Sequence, residues 1–444
     1  MSKISKRLRL WLGRLSTPRL LFLGYFTYMA LGWCVLASPL VHEQAVSMLD
    51  ALFIAVSAVS TTGLVTVDPG SSFNLAGEIV ILVLIQLGGI GYMTAGSILA
   101  LALRRRLSLA QHHALVGGFG LPDGFSIKRF LAELTVFTLA AEALGAAALW
   151  WSFAHAGIDN APWLAIFHSV SAFCTAGFSL FPNSLENFRG DTGVNLTVAA
   201  LSYLGAIGFL VFADIWDTTT GKRNAIGFST RVVLIATPLL SIVGAIAIFF
   251  VEPSVRLFPF GERAMAAFFQ SMTAVTTVGF NTVPIGPLAA VTVLAMYVLM
   301  MFGASPAGTG GGLKSTTLAT LVGLLGSTLR GRSDVRLFGR MIAPERIQLA
   351  SAAVTFYVLA LFASVFTLLL TQESRLDVVV FEAVSALGTV GLSMGATSDL
   401  TATGKVVIIL LMFMGRVGVL TFGLALVAGR PSGGRRADLD EIAY

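Results

Sequence analysis

Apolar runs of bilayer-spanning length recur along this chain and alternate with short polar segments. A helix needs about 20 predominantly apolar residues to cross the hydrocarbon core of a membrane. The pattern therefore predicts an all-α polytopic membrane protein. The eight runs cover approximately residues 20–38, 79–103, 131–154, 194–216, 232–251, 288–328 (interrupted), 351–370 and 404–428.

A short Thr-x-Gly segment separates the two runs of each successive pair. Its glycine is Gly63, Gly177, Gly279 and Gly391 in turn, at intervals of 114, 102 and 112 residues. In all four copies a Phe lies ten residues before the Gly, a Ser or Thr six before and a Thr two before. This agreement in register and residue type predicts four direct repeats, each with a first helix (M1), a pore loop and a second helix (M2). The repeats cover 20–103, 131–216, 232–328 and 351–428, between a basic tail at 1–19 and a C-terminal tail at 429–444.

Each Thr-x-Gly segment follows about ten apolar, helix-compatible residues. This length reaches only about halfway through a ~30 Å hydrocarbon core, which predicts a re-entrant half-helix followed by an extended return. Non-helical backbone at membrane depth occurs only where protein buries it or water lines it. A pseudo-fourfold arrangement of the four M1–pore loop–M2 repeats around a central pore meets this condition for all copies together.

The loops have the composition of a filter for a dehydrated cation. Rings of backbone carbonyls replace the hydration shell of potassium. Glycine accepts the dihedrals that turn successive carbonyls to one side, the half-helices end with partial negative charge toward the ion, and the Thr hydroxyls can lock the loop or add an oxygen. We predict that K+ is bound by the backbone carbonyls of Ser60, Thr61, Thr62, Gly63, Cys174, Thr175, Ala176, Gly177, Thr276, Thr277, Val278, Gly279, Gly388, Thr389, Val390 and Gly391.

A Gly-rich stretch interrupts the sixth run. Residues 303–312 read GASPAGTGGG, and five Gly and one Pro in ten residues cannot continue a helix. The stretch is either a kink or linker between two short helices, or an intramembrane loop that obstructs the pore below the filter. We favour the loop, here called the gate loop, because lipid-exposed irregular backbone is excluded and the nearby Lys314 needs a wet cavity.

Arg416 lies near the middle of the last apolar run. A cation at this depth is costly and usually faces a cavity. We therefore expect Arg416 beside the pore, bonded to the gate loop and forming an electrostatic barrier to cations. The alternative is a packing role, through free carbonyls or a pair with Glu142. The predicted gate residues are Gly303, Gly308, Gly310, Gly311, Gly312, Lys314 and Arg416.

His168 and Glu382 occupy the same position in two repeats, nine residues before the filter Gly, where the other copies have Ile54 and Gln270. Both could be ion ligands. Their distance of one turn or more from the glycine favours hydrogen bonding behind the filter instead.

Composition and charge agree with a membrane protein and argue against a nucleic-acid partner. Hydrophobic residues make up 56% of the 444 residues and charged residues 12%, about half the share in soluble domains. The net charge is +6, but 22 of the 29 Lys and Arg lie in the two tails and in 104–129, 222–231 and 330–346. Basic segments are retained in the cytoplasm, so we expect both termini inside the cell and the acidic loops outside. The sequence has no P-loop, HExxH or nucleophile-elbow motif and does not predict an enzyme.

The four loops, the order of the helices, the Gly-Gly-x-Lys pattern of the gate loop and Arg416 together resemble the superfamily of potassium transporters that comprises Ktr, Trk and plant HKT proteins. The likeness runs from about Leu20 to Leu426. It is greatest to KtrB-type membrane subunits, because Trk subunits usually carry two further N-terminal helices. The resemblance implies that the loop glycines determine selectivity, and that Gly63, where sodium-permeable members have Ser, favours potassium. The single Gly without Tyr departs from the TVGYG of potassium channels and implies a shorter filter.

The resemblance also implies partners and a location. It implies a homodimer of two independent pores in the lipid of a bacterial plasma membrane, docked on an octameric ring of cytosolic RCK-domain subunits (KtrA-like). The cytoplasmic segments are too short for a nucleotide-binding fold, so a nucleotide would act only through that partner. We expect no covalent cofactor, with K+ as the transported ion and Na+ as the alternative. The loops 104–129 and 330–346 are candidate docking surfaces, or simply solvated positive-inside loops.

Two other functions remain open at this point. One is a sodium-permeable or Na+/K+-coupled transporter of the same fold, which the sequence does not separate from a potassium-selective pathway. The other, more remote, is a secondary transporter for an organic solute with broken helices around a midplane site. That architecture predicts two inverted repeats with paired discontinuous helices, whereas the sequence indicates four direct repeats and a single Gly-rich break.

Overall fold

The computed structural model describes residues 17–91, 127–303, 305–306, 308–419 and 421–423. These residues are helical apart from loops and one short β-hairpin, which confirms the predicted all-α fold. Most of the basic N-terminal tail, the basic loop 104–129 except its last residues, and the C-terminal tail lie outside the described residues.

Each repeat consists of an M1 helix, a short pore helix and an M2 helix. The M1 helices are Thr17–Leu36, Ile127–His155, Phe228–Val251 and Pro344–Thr371. The pore helices are Met48–Ser60, Ala161–Phe173, Phe260–Thr276 and Leu376–Gly388. The M2 helices are Leu75–Ile90, Thr192–Ile207 with Phe209–Thr219, Ala290–Met301 with Ser315–Thr328, and Ala402–Val417.

The minor elements connect these helices. Single helical turns occupy Pro69–Ser72 and Pro253–Arg256, and 3-10 turns occupy Pro39–Val41 and Glu186–Phe188. The antiparallel strands Arg336–Leu337 and Arg340–Met341 form a hairpin in the basic loop between repeats 3 and 4, with Arg336 opposite Met341.

The M1 helices carry the membrane-spanning lengths. Among the described residues, Leu131–His155, Phe228–Val251 and Pro344–Thr371 are long and apolar enough to cross a bilayer. Large apolar side chains are exposed on the last of these, including Phe362 (72%) and Phe366 (66%), as expected of a lipid-facing surface. Three of the four pore helices have only 13 residues, too few to cross.

The predicted single break in the M2 helices is wrong, because the M2 helix of repeat 2 is also broken. In repeats 1, 2 and 4 the helix stops at Gly91, Gly208 and Gly418, with φ of 89°, 86° and 90°. In repeat 2 the two halves meet at a bend of 85°. A positive φ cannot continue a right-handed helix, and glycine adopts it without steric cost. The M2 helix of repeat 2 is therefore broken at Gly208, and the first M2 helices of repeats 1 and 4 end at the equivalent glycines. In repeat 3 the gate loop occupies this place.

The pore helices form the centre of the core. Their phenylalanines ten residues before the filter glycine are fully buried in all four repeats (Phe53, Phe167, Phe269, Phe381; each 0% exposed). The M2 helices pack around them, and each M2 helix contacts the pore helix of the following repeat. This contact passes from repeat 4 back to repeat 1, so the repeats close into a ring.

Polar side chains join several of these seams between repeats. Trp163 Nε1 donates to Glu78 Oε2 at 2.6 Å across repeats 1 and 2, and Tyr297 OH donates to the carbonyl of Asp377 at 2.7 Å across repeats 3 and 4. The closing seam contains an ion pair, with Lys405 Nζ 2.6 Å from Asp50 Oδ1. The repeats are thereby fixed against one another near the start of the pore helices.

Candidate functional site

The pore helices end in a backbone geometry that is the same in all four repeats. The threonine two residues before each filter glycine has a left-handed conformation, with φ of 50°, 51°, 58° and 51° at Thr61, Thr175, Thr277 and Thr389. The glycines also have positive φ, namely 93°, 65°, 84° and 94° for Gly63, Gly177, Gly279 and Gly391. A β-branched residue in this region is an outlier that the surrounding structure must enforce. The sequence predicted the unusual glycine conformation but not that of the threonine.

The four glycines form a closed ring. A Cβ placed on Gly63 would lie 2.3 Å from the carbonyl oxygen of Ala176 in repeat 2. The same construction joins each glycine to the residue before the glycine of the next repeat. The distances are 2.4 Å from Gly177 to the Val278 oxygen, 2.1 Å from Gly279 to the Val390 oxygen and 2.0 Å from Gly391 back to the Thr62 oxygen. Only glycine fits at these four positions, because any side chain would meet a carbonyl oxygen of the ring.

The same backbone hydrogen bond closes the end of the pore helix in all four repeats. In each repeat, the N–H of the residue before the glycine donates to the carbonyl of the residue six before the glycine. These bonds are Thr62 to Ser57 (2.9 Å), Ala176 to Ser171 (2.8 Å), Val278 to Thr273 (3.1 Å) and Val390 to Ser385 (2.8 Å). The backbone thus folds back onto its own helix through N–H groups. In the part of the chain that the structure describes, no hydrogen bond is made to the carbonyl of the residue before the glycine (Thr62, Ala176, Val278 and Val390). Such carbonyls are the groups that a carbonyl filter requires.

Side chains six residues before the glycine support the loops in different ways. Ser57 and Ser385 each accept a hydrogen bond at 3.1 Å from the N–H of their own filter glycine. Ser171 instead donates to the carbonyl of Phe178 at 2.8 Å. The equivalent Thr273 hydroxyl is buried and has no partner in the described part of the chain. The backbone ring is therefore fourfold, whereas its side-chain support is not.

His168 and Glu382 hydrogen-bond behind the filter. His168 contacts Ser179 Oγ at 3.0 Å. Glu382 accepts from Ser393 Oγ and Thr397 Oγ1, each at 2.6 Å. All three partners lie in the segments that follow the filter glycines, so His168 and Glu382 each tie their pore helix to the segment after its own glycine.

The gate loop lies directly beneath the ring. Its ends are held together by a bridge between Phe302 and Leu313. Thr309 N–H donates to the carbonyl of Gly205 at 2.9 Å, and Ser305 N–H donates to that of Ala206 at 3.1 Å. Both acceptors precede the M2 break of repeat 2, which exposes carbonyls that a continuous helix would use. The gate loop is thereby attached to the M2 helix of repeat 2.

Arg416 binds the gate loop from the opposite side. Its guanidinium donates to the carbonyl of Thr309 and to that of Gly88, and its Nε donates to Tyr25 OH at 2.6 Å. Lys314 Nζ donates to the carbonyl of Gly310 at 2.7 Å. Two cations thus converge on one short loop.

The predicted alternative pair of Arg416 with Glu142 does not form among the described residues. Glu142 instead accepts from Gln86 Nε2 at 3.1 Å and lies 3.8 Å from Cys174 Sγ. Arg416 makes the carbonyl contacts that the packing alternative allowed, but the carbonyl of Thr309 belongs to the gate loop itself.

Cavities lie above and below this constriction. The upper one, about 470 Å³, is lined by the four filter glycines and by polar residues that include Asp68, Glu186 and Asn281. Burial raises the pKa of Glu186, although a hydrogen bond from Asn281 partly offsets this. The lower one, about 270 Å³, is lined by the gate loop, Lys314 and Arg416. The filter and gate loop separate the two.

Comparison with known proteins identifies the family. A family model described as "TrkH: Cation transport protein" matches residues 32–435. The chain belongs to this family. It is 35% identical to the Ktr system potassium uptake protein B of Vibrio alginolyticus over 94% of this chain and 92% of the relative. It is 32% identical to the potassium/sodium uptake protein NtpJ of Enterococcus hirae over 97% of each.

A solved structure supports the fold. The TrkH potassium transporter of Vibrio parahaemolyticus superposes with a TM-score of 0.73 at 20% identity, covering 94% of this chain and 86% of that one. The predicted resemblance is thereby confirmed. Membership in the TrkH family places this chain among cation transport proteins rather than enzymes.

In this TrkH family chain, the structure brings the predicted filter segments into one ring, although not every residue contributes in the same way. Ser60, Thr276 and Gly388 are the last residues of their pore helices, and Cys174 follows the end of the second.

Among the predicted gate residues, Gly303 lies against the third pore helix, where a Cβ would be 1.8 Å from the carbonyl oxygen of Val275.

The sequence did not predict the residues that contact the gate loop and Arg416, namely Gly205, Gly88 and Tyr25. Gly205 and Gly88 approach the ends of two pore helices closely, since Cβ atoms there would lie 1.8 Å from the carbonyl oxygen of Phe173 and 2.2 Å from that of Val59. The contact of Tyr25 with Arg416 could not be predicted, because Tyr25 lies in the first repeat and Arg416 in the last. The sequence feature that could have indicated these close approaches is the presence of isolated glycines such as Gly88 and Gly205 within the apolar M2 runs.

Proposed function

We propose that this chain is the membrane subunit of a Ktr-like potassium uptake system and forms a potassium-selective pathway through its own four repeats. The observation that carries this proposal is the closed ring in which each filter glycine meets a carbonyl oxygen of the next repeat. Rings of backbone carbonyls replace the hydration shell of potassium.

The proposed ion ligands are backbone oxygens of the four filter segments, with the residue before each glycine at the narrowest level. The carboxylates of Asp68 and Glu186 line the cavity above the ring and would raise the local cation concentration. Two relatives named Ktr system potassium uptake protein B, from Vibrio alginolyticus and Bacillus subtilis, are 35% and 33% identical to this chain, which supports potassium as the ion.

The proposed gate is the described part of 303–312 with Lys314 and Arg416. Backbone contacts to Gly205 and Ala206 hold the loop on one side, and Arg416 holds it on the other. In this position the loop blocks the route from the ring to the lower cavity. The two nearby positive charges add an electrostatic barrier until the loop moves.

We further propose the assembly and orientation that the sequence analysis predicted. The chain would lie in a bacterial plasma membrane with both termini in the cytoplasm, as a homodimer controlled by a ring of cytosolic RCK-domain subunits. The Ktr naming of the relatives supports a multi-subunit system. The loops 104–129 and 330–346 are the candidate docking surfaces. The second contains the hairpin Arg336–Leu337 and Arg340–Met341, and its arginines are exposed.

The test is reconstitution of the purified full chain into vesicles, with wild type and the gate variant Arg416→Gln measured side by side. Imposed potassium and sodium gradients should give a reversal potential that follows potassium. Protein-free vesicles provide the control. If the gate variant carries no potassium above that control, the proposed function is wrong.

A sodium-coupled or sodium-permeable mechanism is the second candidate. It is favoured by the similarity to NtpJ, whose name includes both ions. Coupling predicts that a sodium gradient alone drives potassium against its own gradient. A pathway without coupling shows a reversal potential that depends on each ion separately, so the same vesicles decide between the two.

A further inference from the structure

Three of the four threonines that lie two residues before a filter glycine contact the gate loop through their hydroxyls. Thr175 Oγ1 lies 3.0 Å from Thr309 Oγ1 of the gate loop, and Thr61 Oγ1 lies 3.5 Å from the carbonyl of Thr309. Thr389 Oγ1 accepts from the N–H of Gly311 at 2.9 Å. Three repeats thus direct the same side chain onto one segment that belongs to the M2 helix of repeat 3.

The direction of these bonds can be assigned from the neighbouring contacts. Thr309 Oγ1 lies 3.2 Å from the carbonyl of Phe173, which can only accept. The single hydroxyl hydrogen of Thr309 is used there, so the Thr175 hydroxyl must donate to Thr309. A continuous chain of donors therefore runs from the second filter threonine through the gate loop to the end of the second pore helix.

Thr277 is the exception that allows a test. It has the same position, the same left-handed backbone (φ 58°) and complete burial, but its hydroxyl has no partner among the described residues. Because Thr277 belongs to the repeat that supplies the gate loop, the fourfold ring offers three hydroxyls to the loop and leaves one unused.

We propose that the hydroxyls of Thr61, Thr175 and Thr389 form a latch that holds the gate loop closed against the filter. This inference rests on the proposed function and adds a regulatory role for the filter side chains, separate from ion binding by the backbone carbonyls. When the loop leaves, the N–H of Gly311 and the hydroxyl of Thr309 lose buried partners and must find water. The latch therefore favours the closed state until that water is admitted from the lower cavity.

The test compares Thr175→Val and Thr389→Val with the matched control Thr277→Val in the reconstituted full-length chain. Valine keeps the β-branched shape and removes only the hydroxyl. Loss of one latch hydrogen bond should raise the potassium flux about fivefold in each of the first two variants, and further when both are combined. Thr277→Val should give no rise in potassium flux, because its hydroxyl contacts no gate-loop residue in the described part of the chain. Thr237→Val, at a buried threonine of the third M1 helix whose hydroxyl also has no partner there, should transport at the wild-type rate. Thr175→Ser and Thr389→Ser, which retain the hydroxyl, should restore the closed behaviour.

The readouts separate the latch from a merely structural role and from the proposed function. A structural defect would lower the flux and the melting temperature, whereas release of a latch raises the flux. The latch is refuted if Arg416→Gln carries potassium while Thr175→Val and Thr389→Val transport at the same rate as Thr277→Val. It is also refuted if all three valine variants raise flux equally, since the effect would then come from the filter alone. If Arg416→Gln carries no potassium, the failure lies in the proposed function.

Discussion

The glycine ring makes a sharp prediction about Gly63→Ser. The backbone at Gly63 has φ +93°, and an added Cβ would lie 2.3 Å from the carbonyl oxygen of Ala176. Real Cβ contacts essentially never fall below 3.0 Å, so that oxygen must retreat by about 0.7 Å. The oxygen belongs to the ring of carbonyls that we propose as ion ligands, and its displacement would change both the size and the field of that site.

The chain provides a matched control in Gly395→Ser. Gly395 has φ +97°, close to that of Gly63, but nothing lies within 4 Å of a Cβ added there. Both substitutions place serine in an unfavourable conformation, at a cost of about 1–3 kcal/mol that should lower the melting temperature of both proteins. Only Gly63→Ser displaces a filter oxygen.

The expected result is a lower potassium-to-sodium permeability ratio in Gly63→Ser alone. If one carbonyl contact to the ion is worth as much as a hydrogen bond to a charged group, about 1.5 kcal/mol, the ratio should fall roughly tenfold. Reversal potentials in vesicles with potassium on one side and sodium on the other measure this directly. An unchanged ratio in Gly63→Ser, or an equal fall in Gly395→Ser, would show that the ring oxygens do not set selectivity.

Three further predictions follow from the described contacts. Arg416→Gln should raise the potassium flux, because it removes one of the gate loop's anchors and a cation beside the pathway; vesicle flux measures it, and an unchanged rate would remove Arg416 from the gate. Lys405→Met should lower the melting temperature by leaving Asp50 unpaired in a largely buried seam, and the double variant with Asp50→Asn should recover part of the loss. Burial favours the protonated form of Glu252, but hydrogen bonds such as that from Ser254 outweigh it and lower the pKa. This carboxylate therefore stabilises the fold above its unfolded pKa, and the contribution is lost as pH falls through the folded pKa. Melting curves at acid pH should accordingly converge for wild type and Glu252→Gln.

The repeats were predictable because their signal lies in local sequence. Spacing alone placed the four filter glycines at corresponding positions, and a half-helix followed by a glycine turn has few arrangements inside a membrane. The gate loop was equally visible, since five glycines and a proline cannot continue a helix. These features depend on backbone chemistry, which residue types report directly.

The contacts between distant parts of the chain were not predictable in this way. Gly91, Gly208 and Gly418 look like tolerated glycines in apolar helices, and only the structure shows them in positive φ directly after an M2 helix. The acceptors of Arg416 include two backbone carbonyls, which carry no side-chain signature. Its third partner, Tyr25, lies 391 residues away in the sequence.

The division between backbone and side chains explains how four similar repeats can carry one gate. The proposed ion coordination by carbonyls would constrain only the path of the backbone, which the positive φ of the four threonines and four glycines keeps alike. The side chains are then free to differ, and they do: Ser57 accepts from its own glycine, Ser171 donates onward, and the Thr273 hydroxyl has no described partner. The unsupported repeat is the one whose M2 helix opens into the gate loop. A hydrogen-bond partner for the Thr273 hydroxyl should therefore stiffen the filter segment of repeat 3 next to the gate loop. The same change in the other repeats should have less effect, because Ser57, Ser171 and Ser385 already have partners.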